Sequence, residues 1–131
     1  MNYSNLYFIV YDILNTTIFI KRYFQFVFMG VEILDSKKFD SFTSKGTSIV
    51  DFYADWCGPC KIMAPAFEKA SGKFKEVRFA KINVEGNQEI AGRYGVMSIP
   101  TVVVFKNGNV KDIHTGALNE AEIVKLVEKY K

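Results

Sequence analysis

Residues 47–54, TSIVDFYA, are β-rich and apolar on both faces except at Asp51, and they run straight into DWCGPC, a turn followed by a helix-like stretch. A strand with no clear polar face belongs in the middle of a sheet that is covered on both sides. Proline is tolerated in a first helical turn, where its missing N–H costs nothing, so the spacing predicts a helix starting around Pro59. The chain is therefore expected to be an α/β protein. Asp51 stands out as an acid inside a strand that should be buried.

The flanking sequence extends this pattern. Val31 to Leu34 reads as a short strand, and Asp35 offers an N-cap for a helix through about Ser44, with Phe39 and Phe42 on its buried side and Gly46 ending it. The helix from Pro59 has Met63, Ala66, Phe67 and Ala70 as apolar positions, and Pro65 within it is expected to kink it. Val77 to Val84 reads as a third strand, and Gln88 to Tyr94 as a short helix closed by Gly95. PTVVVF, KNGN and VKDIHTG form a hairpin pattern, with Asn107-Gly108 supplying the positive φ angles of a tight turn. A last helix starts at Glu120, where Asn119 and Glu122 have capping-box spacing and Ile123, Leu126 and Val127 form the apolar stripe. Strands alternating with helices, then a terminal hairpin, predict a mixed sheet covered on both faces.

The 131 residues fit one domain with a hydrophobic core. Residues 1–29 have a different texture: residues 1–30 hold nearly half of the aromatic residues, show no clean period, and contain one acid, Asp12. A secretory signal would need a basic start and a small-residue cleavage site, and neither is present. The run from Leu6 to Ile20 is shorter than the ~20 apolar residues of a membrane-spanning helix and is broken by Asp12 and Asn15. Were it inserted, Lys21 and Arg22 would leave the domain on the cytoplasmic side. The segment is crowded with Asn, Tyr, Phe, Ile and Lys, which have AT-rich codons; the favoured reading is untranslated sequence ahead of a start at Met29. The expected division is thus 1–29 as an extension outside the core and 30–131 as the domain. The net charge of +3 is spread along the chain, so no nucleic-acid surface is expected.

Cys57 and Cys60 are the only cysteines, too few for a disulfide-framed scaffold. A sulfur at a helix N-terminus meets unpaired N–H groups and the positive end of the helix dipole, which favour a thiolate. Cys60 follows about one turn later, within reach of a mixed disulfide formed by Cys57, as suits a dithiol that opens and closes. The competing readings are weaker. Zinc needs four ligands, and the only histidine, His114, lies in a strand with no thiol near it, so no metal is expected. A static bridge across so short a loop would gain little chain entropy.

DFYADWCGPCKIMAP, followed by SIPT and by TGAL, resembles the thioredoxin family, and the resemblance runs from about Val31 to the C-terminus. It implies a five-stranded mixed sheet in order 1-3-2-4-5 flanked by four helices. It also implies that Cys57 is the exposed nucleophile, Cys60 the buried resolving thiol, Asp51 the buried acid behind Cys60, and Lys81 its neighbouring lysine. Trp56 matches the flat apolar lip beside the thiols, and Gly58 and Pro59 the dipeptide between them. Pro100 matches a cis-proline whose preceding residue, Ile99, binds an extended substrate chain through its backbone; Gly116 and Ala117 match the loop that completes the docking surface. Without the resemblance, Ile99-Pro100 would be read as trans, Asp51 as a surface or turn-capping acid, Lys81 as an exposed lysine and Trp56 as core. The chain departs from the family's familiar pattern at Tyr53 and at Met97-Ser98, which bears on the shape of the docking surface.

The function implied is a protein-disulfide reductase acting through Cys57 and Cys60, with no bound cofactor. Its implied partners are a thioredoxin reductase and disulfide-containing target proteins. Gly58-Pro59 suits the reducing direction, since oxidising relatives usually carry a histidine there. A cytoplasmic monomer without membrane association is expected. The alternatives are an anchored or exported thiol oxidoreductase and a non-catalytic binding subunit.

Overall fold

The computed structural model describes residues 30–131, and the expectations placed on residues 1–29 lie outside it. The elements follow the order β1 (Val31–Leu34), α1 (Ser36–Thr43), β2 (Thr47–Tyr53), α2 (Gly58–Ser71), β3 (Val77–Asn83), α3 (Gln88–Arg93), β4 (Thr101–Lys106), β5 (Asn109–Thr115) and α4 (Glu120–Tyr130). Each matches an expected element; the ends differ by about one residue. Cys57 caps α2 and Gly58 opens it, so the helix starts one residue before Pro59 and continues through Pro65.

The five strands form one sheet in the order β1-β3-β2-β4-β5, as expected. β1 and β2 lie parallel to β3 on either side of it. β4 runs antiparallel to β2, and β5 antiparallel to β4. The crossovers through α1 and α2 bring β2 and β3 back parallel, the connection through α3 enters β4 in the opposite sense, and the tight Asn107-Gly108 turn reverses the chain again into β5. Both turn residues have positive φ, 51° and 84°, and the Gly46 N–H donates to Asn107 Oδ1 at 2.8 Å, fastening the turn to the start of β2.

β2 is the central strand and is buried along nearly its whole length. Successive side chains of a strand point to opposite faces, so β2 feeds two cores. Ile49 packs with Met63 and Phe67 of α2, Phe79 of β3, and Ile123 and Val127 of α4. Val50 and Phe52 pack on the other face with Phe39 and Phe42 of α1, Ile90 of α3, Ile82 and Phe105. Each fully buried large apolar side chain contributes on the order of 1.5–3 kcal/mol. The same alternation puts Asp51 on the face of Ile49, beneath α2, and Lys81 on the face of Phe79. The active-site end of the sheet therefore carries an acid and a lysine under the first turn of α2.

The predicted caps are formed. Asp35 Oδ1 accepts from the Lys38 N–H at 2.9 Å. At the start of α4, Asn119 Oδ1 accepts from the Glu122 N–H at 2.8 Å while Glu122 Oε1 accepts from the Asn119 N–H at 3.2 Å. Each cap satisfies helix N–H groups that otherwise lack partners, for about 1 kcal/mol. Leu126 is only partly buried, so Ile123 and Val127 carry the apolar stripe of α4. Among the described residues, no helix is long and apolar enough to cross a membrane.

Candidate active site

Cys57 and Cys60 are joined by a disulfide at the start of α2, with Cα atoms 5.3 Å apart. Cys57 holds the N-cap position with extended backbone, and its Sγ accepts from the Cys60 N–H at 3.2 Å. The helix N-terminus thus directs a backbone donor at the sulfur. This is the position and the donor that favour negative charge on Cys57 when the bridge opens.

One expectation is corrected here. Cys57 was expected to be exposed, yet it is 4% exposed, close to the 3% of Cys60. The reason is local packing: Cys57 and Cys60 share a small cluster with Ala54, flanked by Tyr53, Val84 and Ile99. The Ile99 carbonyl oxygen lies 3.8 Å from Cys57 Sγ. What separates the two cysteines is the space each one borders. Cys57 lines an open groove of about 460 Å³ whose other walls include Trp56, Pro59, Val96, Met97 and Ile99. Cys60 borders a separate, half-open pocket of about 160 Å³ at the start of α2, with the exposed Asp55 and Lys61 also in its walls.

The groove gathers residues distant in sequence. Trp56 is 67% exposed, so it stands as a rim and not as core. Gly58 is exposed and has open space where a Cβ would sit. The Ile99–Pro100 peptide bond is cis, and Pro100 is buried. The Gly116 N–H donates to the Pro100 carbonyl at 2.8 Å, with Gly116 at φ 107°, a conformation that favours glycine. The Thr101 hydroxyl donates to the Ser98 carbonyl at 2.6 Å, which secures the other side of the loop. Gly116 is thus tied to Pro100 and Ala117 is exposed beside it, but none of these three lines the groove, which ends at Ile99 on this side. Val84, Val96, Met97 and Ser98 do line it. Of these, sequence reading had singled out only Met97-Ser98, as a departure from the family pattern.

Asp51 is 3% exposed and its Oδ1 has no hydrogen-bond partner. Burial pushes its carboxyl up to about 7, against the opposing pull of the Lys81 ammonium. Asp51, Cys60 and Lys81 share the half-open pocket with Tyr53, Asp55 and Lys61. Its volume is enough for a few water molecules at about 30 Å³ each. The Lys81 ammonium sits 5.1 Å from the centre of the Tyr53 ring, within cation–π range. Burial, and then the charges of Asp55 and Asp51, push the Tyr53 phenol up. Tyr53, Asp55 and Lys61 were not anticipated as neighbours of Cys60. The signal for Tyr53 was available, since it lies two residues beyond Asp51 and so on the same face of β2. His114 is a half-buried residue of β5, away from both spaces. Among the described residues, no group of three or more His, Cys, Asp or Glu side chains is placed to hold a metal.

A dithiol closed across one helical turn, with one member bordering an open groove and the other sharing a pocket with a buried acid, is the machinery of a thiol–disulfide oxidoreductase. Comparison with known proteins agrees. The thioredoxin family model matches residues 30–129, and the chain belongs to the thioredoxin family. It is 42% identical over 102 residues to the thioredoxin of Mycoplasma pneumoniae, covering 77% of this chain and 100% of that one. It is 40% identical over 103 residues to the thioredoxin of Bacillus subtilis, covering 78% and 99%. A solved structure of a mutant thioredoxin from Halobacterium salinarum superposes with a TM-score of 0.72 at 34% identity, over 76% of this chain and 89% of that one. The protein is an enzyme of protein-disulfide exchange with Cys57 and Cys60 as its redox-active pair.

Proposed function

We propose that the protein reduces disulfides of other proteins, with Cys57 as the attacking sulfur and Cys60 as the resolving one. The observation that carries this assignment is that Cys57 borders the open groove while Cys60 borders the pocket of Asp51. In the reduced enzyme, the Cys57 thiolate attacks one sulfur of a target disulfide. A new S–S bond forms, the target's bond breaks, and its other sulfur leaves as a thiolate that takes up a proton. Cys60 then gives its proton to Asp51 across that pocket and attacks the Cys57 sulfur. The target departs fully reduced, and the Cys57–Cys60 disulfide seen in the structure remains. Lys81 lowers the cost of charge on Asp51 when it later releases that proton to solvent.

Trp56, Gly58, Pro59 and Ile99 hold the target chain, with Pro100, Gly116 and Ala117 shaping the loop behind them. A thioredoxin reductase returns the bridge to the dithiol, with electrons ultimately from NADPH or ferredoxin. A reductant with Gly58-Pro59 between its thiols suits a compartment kept reduced, so we place the protein in the cytoplasm, as a monomer. Residues 30–131 are the working domain, with 1–29 outside its core.

Insulin turnover tests this reading. Purified protein should reduce the interchain disulfides of insulin with dithiothreitol as electron source, and Cys57→Ser should lose that activity entirely. A Cys57→Ser protein with full turnover would contradict the assignment.

A further inference from the structure

Met97 is 98% exposed, while Met63, the other methionine among the described residues, is 1% exposed in the core. Met63 is engaged there, its sulfur accepting from the Leu118 N–H at 3.4 Å. Met97 instead stands on the wall of the groove that Cys57 borders, together with Trp56 and Ile99. An exposed apolar side chain alone means little. One that shares a groove with the reacting sulfur is a contact surface for whatever brings a disulfide to that sulfur. The occupant of this groove is therefore the chain segment of a target protein that flanks its disulfide. A thioether on three rotatable bonds adapts to many apolar partners, which suits an enzyme with varied targets.

The same exposure makes Met97 reactive. We propose that Met97 is a peroxide-sensitive docking residue: its oxidation to the sulfoxide weakens capture of protein targets and leaves the chemistry at Cys57 and Cys60 intact. The inference rests on the proposed role of the groove. In the modification step, a lone pair of the Met97 sulfur attacks one oxygen of hydrogen peroxide. The S–O bond forms, the O–O bond breaks and water leaves; methionine loses two electrons and peroxide gains them. The product places a strongly polar, chiral S=O group on an apolar wall. A target side chain docking there must desolvate that oxygen without giving it a donor. The rim then rejects protein chains, whereas a small disulfide that needs only the sulfur is still reduced.

The test uses the full-length protein in its disulfide form, in which no thiolate competes for peroxide. After limited treatment with hydrogen peroxide and its removal, peptide mass spectrometry should find one added oxygen on Met97 and leave Met63 unmodified. Against insulin, kcat/KM should fall roughly five- to ten-fold through KM, the size expected for loss of an interface anchor. Single-turnover reduction of DTNB by the pre-reduced protein should change less than about two-fold, because the dithiol is untouched. Met97→Leu, compared with itself before and after peroxide, should show no loss; Met97→Gln should raise the insulin KM without any peroxide. Full oxidation of Met97 with unchanged insulin kinetics would overturn the proposal. So would an equal peroxide loss in Met97→Leu, or oxidation of Met63 ahead of Met97. Untreated protein unable to reduce insulin would instead strike the proposed function itself, a result separable from all three.

Discussion

Asp51 and Lys81 are Cα partners across the parallel β2–β3 ladder, yet Asp51 Oδ1 accepts no hydrogen bond. An acid so placed is protonated more easily folded than unfolded, and burial raises its carboxyl from 3.8 to about 7. The folded chain then holds a proton that the unfolded chain releases. Stability is highest below the unfolded value and falls as pH rises from about 4 to about 7. Beyond that it is flat, with a total loss of about 4 kcal/mol at ~1.4 kcal/mol per pH unit. Asp51→Asn removes that loss. The mutant should be more stable than wild type at pH 8, by a margin that shrinks towards pH 4, and slower at reducing insulin because Cys60 lacks its proton acceptor. Urea melts at several pH values check the first part. A mutant less stable at every pH, or equally active at neutral pH, would show that Asp51 is a structural acid only.

Lys81 pulls the Asp51 carboxyl down. Lys81→Met keeps the unbranched stem of the side chain and removes the charge, so the Asp51 titration should move upward from its wild-type midpoint. The carboxyl carbon resonance of Asp51, followed by NMR across pH, reads this directly. An unmoved midpoint would mean that the ammonium, drawn over the Tyr53 ring, does not act on Asp51.

The element order was legible because each element carries its own local signal: the apolar run of β2, the Asn107-Gly108 turn, the Asp35 and Asn119 caps. The motif residues were legible for the same reason, since Trp56, Cys57, Gly58, Pro59 and Cys60 are contiguous. The walls of the two spaces were not. Val84 reaches the groove from the end of β3 and Val96 and Met97 from the loop before β4, and Lys61 and Tyr53 line one pocket although they come from a helix and a strand. The burial of Cys57 depends likewise on Val84 and Ile99, which no local period reports. Trp56 shows the limit from the other side: its composition alone suggests core, and its place on the groove makes it rim.

Because Trp56 is mostly exposed, Trp56→Ala should leave the denaturation midpoint within about 0.5 kcal/mol of wild type. Its effect should fall on docking, with the insulin KM rising roughly ten-fold and DTNB reduction little changed. A large loss of stability with an unchanged KM would assign Trp56 to the fold and not to the groove.

The thioredoxin family model is matched by residues 30–129. Removing residues 1–28 should therefore leave the urea midpoint and insulin turnover nearly unchanged. A loss of several kcal/mol would place part of that segment in the working fold.

The division of labour between the two sulfurs is tested most directly by trapping the intermediate. Reduced Cys60→Ser protein, mixed with a disulfide-bearing target and run on a non-reducing gel, should form a stable one-to-one adduct linked through Cys57 and released by dithiothreitol. Cys57→Ser should form none, since Cys60 borders the half-open pocket and not the groove. Adducts formed by Cys57→Ser and absent with Cys60→Ser would reverse the roles of the two cysteines and contradict the account.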